Sequence, residues 1–252
     1  MYRRFALSLA AATTLALAAG QAGAADLNVA GAAAIGEPFE KLAADFTRES
    51  GHKVHTIFGP VGGIMNKLKN GEKADVIVLS TAALDELDKA GALVPGTRAE
   101  IGRAVAGVAV RAGAPLPDIS SPDAFKQALV AARSVAYTNP AAGGTAGIYM
   151  TGLLEKLGIA DEVKKKALLQ AGGPAVADAV ASGTAEIGIS FTSELLPKPG
   201  VTVVGPLPQS IGLVVTYAAA VASDSQQADA ARALVTYMTR PASRDHFKEA
   251  GL

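Results

Sequence analysis

Three short stretches of the sequence combine glycine, small residues and hydroxyls where a ligand could reach the backbone. They are Gly31 to Gly36, with Ala34 inside it, Gly59-Pro60-Val61-Gly62-Gly63, and Gly143-Gly144-Thr145. Each precedes a helical pattern. A helix start presents unpaired N–H groups and the positive end of the helix dipole, and glycine lets a ligand come close to both. The chemistry these features suit is the binding of a small anion. The competing reading is a plain tight turn. The run Gly143 to Gly147 lacks the Lys-Ser/Thr ending of a phosphate-binding P-loop, so no nucleotide site is expected.

Hydroxyls and charges cluster at other corners. Ser190, Phe191 and Thr192 end one strand pattern, and Ser80-Thr81 ends another. Alternate residues of a strand face opposite ways, so not all of the first group can meet one ligand. Ser80-Thr81 reads first as a helix cap and second as a pair of cleft hydroxyls. Asn139-Pro140 is a turn signal whose Asn also offers a donor and an acceptor. Arg111 could hold a carboxylate bidentately or simply lie at the surface. His52, His55 and His246 have no metal-ligand spacing and the chain has no cysteine, so neither a metal site nor a cofactor is expected. A one-proton reaction needs only an acid and a base. His55, Tyr149, Glu194 and Tyr217 are open candidates, and the sequence selects none of them.

The elements that must position these residues read as two α/β series. Leu27–Ala30, Val54–Phe58 and Val76–Leu79 are strand patterns, each followed by a helix pattern; the last is a Val/Ile/Leu run suited to burial on both faces. This βαβ order implies a parallel sheet. A longer strand, Ala104–Val110, leads into the second series. It holds a helix over Ser121–Ala132, a strand over Ser134–Thr138, a helix that follows Gly143-Gly144 and runs through Leu157, helices over Ala160–Gln170 and Pro174–Ser182, and strands at Ile187–Phe191 and Val201–Val204. A long strand, Gly212–Val221, and two helices close the chain. The two long strands suggest two crossings between lobes, with lobe one at 25–105 plus 218–252 and lobe two at 106–217.

The N-terminus reads as an export signal. Arg3-Arg4 precede an apolar run from Phe5 to Ala19, and Ala22-Gly23-Ala24 offers a cleavage site. The expectation is a signal peptide over 1–24, a mature N-terminus near Ala25 and a periplasmic protein. The apolar run is short of the roughly 20 residues that span a bilayer. Removing it takes two arginines from a chain with 23 basic and 23 acidic residues, which leaves a slight acidic excess. That argues against a nucleic-acid partner. With 50% apolar residues the chain can build its core without disulfides.

The stretches LNVAGAAAIGEPFEKLAADF, HTIFGPVGGIMNKLKNGEKADVIVLST, NPAAGGTAGIYMTGLLEKLG and ASGTAEIGISFTSE, in this order, resemble the periplasmic molybdate-binding proteins of ABC importers and their wider relatives. The resemblance implies an α/β, two-lobed type II periplasmic-binding-protein fold. Each lobe would be a mainly parallel sheet flanked by helices, and two crossing strands would form the hinge. It also implies a small anionic ligand in the cleft, an inner-membrane ABC permease as partner and a monomer. Molybdate binders of the family place serines at the positions of Ala34 and Gly62 and a tyrosine at that of Phe191. All three hydroxyls are absent here, so the ligand implied is an organic carboxylate rather than molybdate. On this reading Ala34, Gly62, Gly63, Gly143, Gly144 and Thr145 line the site, with Ser80, Thr81, Arg111, Asn139, Ser190, Phe191 and Thr192 as further candidates. The wider group also includes aconitate isomerase, so an isomerase of an unsaturated tricarboxylate is the alternative.

Overall fold

A computed structural model describes residues 23–252. The expected export signal, except for Gly23 and Ala24, lies outside the described residues. No helix among the described residues is long and apolar enough to cross a membrane.

The first series is β1 (Asp26–Ala32), α1 (Ala33–Ser50), β2 (Lys53–Gly59), α2 (Val61–Lys69), β3 (Val76–Ser80) and α3 (Thr81–Lys89). All five residues of β3 are buried, as its unbroken apolar run requires. Helix α1 buries one stripe, Ile35, Phe39, Leu42, Ala43 and Phe46, and stops at Gly51, whose φ of 78° suits a residue without Cβ. Then come β4 (Ala99–Arg111), α4 (Pro122–Ala131), β5 (Val135–Thr138), α5 (Thr145–Lys156), α6 (Ala160–Lys164) and β6 (Ala167–Gln170). The chain continues through α7 (Gly173–Ala181), β7 (Ile187–Phe191), α8 (Thr192–Leu195), β8 (Val201–Pro206), β9 (Val214–Val221), α9 (Ala228–Thr239) and α10 (Pro241–Glu249).

The strands form one curled sheet in the order β2-β1-β3-β9-β4-β7-β5-β6, with β8 beside β4. The pairs β1/β2, β1/β3, β5/β6 and β5/β7 are parallel, which makes each half mainly parallel. Strand β4 joins the halves. Its residues Ala99 to Val105 pair with β9, and Ala106 to Arg111 pair with β7 or β8. The return crossing passes the same point: Leu207 N donates to Ala106 O at 3.0 Å, and Ala106 N donates to Leu213 O at 2.9 Å. The two-lobed α/β fold with two crossings is therefore as the sequence implied.

Four local expectations are corrected. Strand β4 begins five residues before Ala104, and β9 begins at Val214 because Gln209–Ile211 forms a 3-10 turn. The helix expected over Ala160–Gln170 ends at Lys164, and Ala167–Gln170 instead pairs with β5. Ala, Leu, Lys and Gln all favour helix, so edge pairing overrides local propensity here. The glycine loops also shrink: β1 runs directly into α1, and Pro60 alone separates β2 from α2. Gly36, Gly62 and Gly63 are consequently helical.

Candidate functional site

The cleft lies where strands of both lobes end and helices begin. Lobe one supplies Ala32, Ala33 and Ala34 at the start of α1, and Gly59, Pro60 and Val61 at the start of α2. Lobe two supplies Thr138, the Gly144–Ala146 start of α5, Gly172 and Gly173 at the start of α7, and Phe191 with Glu194. Tyr217 of β9 closes the back. The space between is about 20 Å³, room for about one water, so a larger ligand enters only if the lobes part.

Four helices therefore begin at one cavity. None of α1, α2, α5 or α7 has a side-chain cap; in α2 the Gly62 N–H is taken by Gly143 O, and in α7 the Gly173 N–H is taken by Glu194 and Pro174 has none, so the free N–H groups come mainly from α1 and α5. Helices α3 and α4, which start elsewhere, are capped by Ser80 and Ser121, while α6, α9 and α10, also outside the cavity, are uncapped. The arrangement concentrates positive dipole ends without a lysine or arginine in the cavity wall.

Two ionisable side chains share the wall. Glu194 is 9% exposed. Its Oε2 accepts from Ser190 Oγ at 2.6 Å and from Phe191 N at 3.4 Å, and the Gly173 N–H donates to the carboxyl as well. Burial nevertheless pushes the acid up from its ordinary range, because desolvation outweighs these three bonds. Tyr217 is 1% exposed, and its ring meets Phe191 edge-on with centroids 6.2 Å apart. Burial pushes its hydroxyl up, and the Glu194 charge adds to that. No hydrogen bond from a described residue acts on it. Gly173 is glycine for a steric reason: a Cβ there would overlap the Glu194 carboxyl.

Of the residues expected from sequence, Ala34, Gly144, Thr145 and Phe191 line the cavity. Gly62 does something different. Its N–H donates to Gly143 O at 3.1 Å, so the two glycines join the lobes beside the cleft. Gly143 holds φ at 73°, and a Cβ on Gly62 would stand 2.9 Å from Gly143 Cα. Gly63 faces the same contact, with Ala142 O as its nearest neighbour. In this arrangement the Gly62 N–H, one of the backbone donors offered to a ligand, is bonded across the lobes.

The remaining candidates lie outside the cavity wall. Ser190 is fully buried one layer behind it, against Glu194. Thr192 Oγ1 donates to Gly251 O. Ser80 Oγ caps α3 by accepting from Ala83 N, and Thr81 O accepts from Arg98. Asn139 closes its own turn by accepting from Ala141 N. Arg111 is exposed beside Gly183, at the end of β4 away from the cleft, because β4 runs antiparallel to β7. Of the proton-transfer candidates, Glu194 and Tyr217 meet in the cleft. His55 sits beside Asp26 at the outer strand, and the Tyr149 hydroxyl donates to Ile211 O in the return crossing. Gly144 also has a packing role, since a Cβ there would overlap Thr138 Cγ2.

Sequence reasoning missed Thr138, Gly172 and Gly173. The last two were hidden because β6 reads as helix, which concealed a strand end followed by Gly-Gly-Pro. That dipeptide before Pro174 is the signal that would have exposed a fourth corner.

Comparison with known proteins agrees with this architecture. Residues 27–252 match the family model described as bacterial extracellular solute-binding protein. Aconitate isomerase of Pseudomonas sp is 34% identical over 218 residues, covering 84% of this chain and 81% of that protein. Molybdate-binding protein ModA of Azotobacter vinelandii is 30% identical, covering 98% of each. A solved Azotobacter vinelandii periplasmic molybdate-binding protein superposes with a TM-score of 0.75 at 21% identity, over 89% of this chain and 97% of that one.

Proposed function

Because the chain belongs to the bacterial extracellular solute-binding protein family, we propose that it is the periplasmic receptor of an ABC importer and closes its lobes on a small organic carboxylate. The observation that carries this reading is the convergence of four uncapped helix starts, two from each lobe, on one cavity. An anion held there is contacted by both lobes at once, which favours the closed arrangement. The moving bodies are 25–105 with 218–252 against 106–217, rotating about the crossings near Ala106.

The rest of the wall favours a carbon skeleton over a tetrahedral oxyanion. Pro60, Val61, Phe191 and the alanines of α1 supply apolar surface, and Ala34 and Phe191 carry no hydroxyl. Thr145 and Tyr217 are directional groups for carboxylate oxygens. Calorimetric titration with di- and tricarboxylates, molybdate and sulfate tests the assignment. Binding of a carboxylate is expected; submicromolar molybdate binding with no carboxylate binding would refute it.

A second reading is an isomerase that moves one proton on an unsaturated tricarboxylate. It is favoured by the Glu194–Tyr217 pair in the cleft and by the 34% identity to aconitate isomerase. NMR of cis-aconitate with the protein in D2O separates the two. Conversion to the trans isomer supports catalysis; an unchanged spectrum under saturating binding supports the receptor.

A further inference from the structure

The Glu194 carboxyl is an unusual group to find in a cleft whose helix starts invite a negative ligand. An ionised carboxylate there would repel an anion. The chain nonetheless builds a specific seat for it. Ser190 Oγ and the Phe191 and Gly173 N–H groups hold the carboxyl, and position 173 has no Cβ because one would occupy the carboxyl's place. Beside it, Tyr217 lines the cavity wall, and its hydroxyl has no bond from any described residue. As a cavity-lining donor and acceptor, it is free to bond a ligand oxygen.

We propose that Glu194 and Tyr217 set the ligand class by proton sharing: the cleft selects a carboxylate that shares a proton with Glu194 and accepts one hydrogen bond from Tyr217. This rests on the cleft being the anion site. Protonated Glu194 donates its O–H to a ligand carboxylate oxygen; ionised Glu194 accepts from a protonated carboxyl or a hydroxyl of the ligand. In either case the complex keeps one proton between the two oxygens, and no bond to carbon changes. A carboxylate is also ionised at neutral pH, so the shared proton is Glu194's own or is taken up from solvent; sulfate is too weak a base to share it well and meets repulsion from the ionised form.

The other charges around Glu194 leave this balance to the ligand. Its neighbour across the cleft is Tyr217, which stays neutral. Glu37 of α1, Asp178 of α7 and Lys198 line the adjoining groove, where Asp178 and Lys198 pair with each other. Among the described residues no lysine or arginine bonds the Glu194 carboxyl.

The test is calorimetric titration of the full chain with cis-aconitate and with sulfate, for wild type, Glu194→Gln and Tyr217→Phe, at about pH 5.5 and about pH 8. Repeating the wild-type titration in two buffers of different ionisation heat counts protons taken up. Wild type is expected to bind cis-aconitate with proton uptake and to weaken as pH rises. Glu194→Gln should lose the uptake, flatten the pH dependence relative to wild type and gain about tenfold in sulfate affinity at the higher pH. Tyr217→Phe should lose about tenfold in cis-aconitate affinity while keeping the uptake. A Glu194→Gln protein with wild-type uptake and wild-type preference for cis-aconitate over sulfate overturns the proposal while leaving the anion site intact. If wild type binds neither probe, the anion site itself is wrong. If Glu194→Gln does not fold, the wild-type titrations decide, and zero uptake at about pH 8 together with a cis-aconitate affinity unchanged between about pH 5.5 and about pH 8 overturns the proposal.

Discussion

At the scale of single residues, the cleft shows how one side chain dictates another. Gly173 is required by Glu194, and Glu194 is seated by Ser190. Ser190 therefore acts through the acid rather than on a ligand, which the sequence pattern Ser-Phe-Thr could not reveal. The buried acid also makes stability depend on pH. Its folded-state value is raised above the ordinary 4.5, so its contribution is complete below 4.5 and is lost as pH rises through the raised value. Glu194→Gln removes that loss. Thermal melts should show the variant gaining on wild type as pH increases from about 5 to about 8; a constant difference between the two proteins would contradict the buried, raised acid.

At the scale of elements, α4 starts with a side-chain cap that the cleft helices lack, a lack they share with α6, α9 and α10. Ser121 Oγ accepts from Ala124 N at 3.1 Å and starts α4 far from the cleft. Ser121→Ala should cost about 1 kcal/mol in chemical denaturation and leave ligand affinity unchanged. The end of α1 is secured differently. Glu49 accepts two bonds from Arg240, at 2.9 and 3.1 Å, and one from Tyr237. Those bonds, the Arg240 bond above all, hold the Glu49 acid down at about 2. Its contribution is present above the ordinary carboxylate range and is lost as pH falls toward about 2. Arg240→Ala should therefore move the acid unfolding midpoint to higher pH. An unmoved midpoint would show that the pair carries no linkage.

At the scale of the whole molecule, both crossings meet at Ala106, and the lobes touch again through Gly62 and Gly143. Those two contacts bracket the cleft. A Cβ at Gly62 meets Gly143 of the opposite lobe first, so Gly62→Leu should prop the lobes apart. Wild-type melting behaviour, a loss of affinity of about tenfold or more and no compaction on ligand addition in X-ray scattering are expected. Compaction equal to wild type would show that closure does not use this contact. Gly144→Leu is a poorer probe of the cleft, because it also strikes Thr138 inside lobe two.

Much of this architecture is legible in the sequence alone. Periodicity in α1, the unbroken apolar run of β3 and glycine before helix starts are local patterns, and local patterns specified the α/β order, the two long strands and three of the four cleft corners. The fourth corner, Gly172-Gly173, was not legible, since Ala167–Gln170 becomes a strand only through its pairing with β5. Nor could sequence distance tell Arg111 from Glu194. Each ends or follows a strand, but β4 runs antiparallel to β7, which sends Arg111 to the far end of the lobe and Glu194 into the cleft. Tyr217, 23 residues beyond Glu194, reaches the same cavity because β9 returns to pair with β3 and β4. Which ends of which strands face one another is a property of sheet topology, and only the tertiary structure sets that.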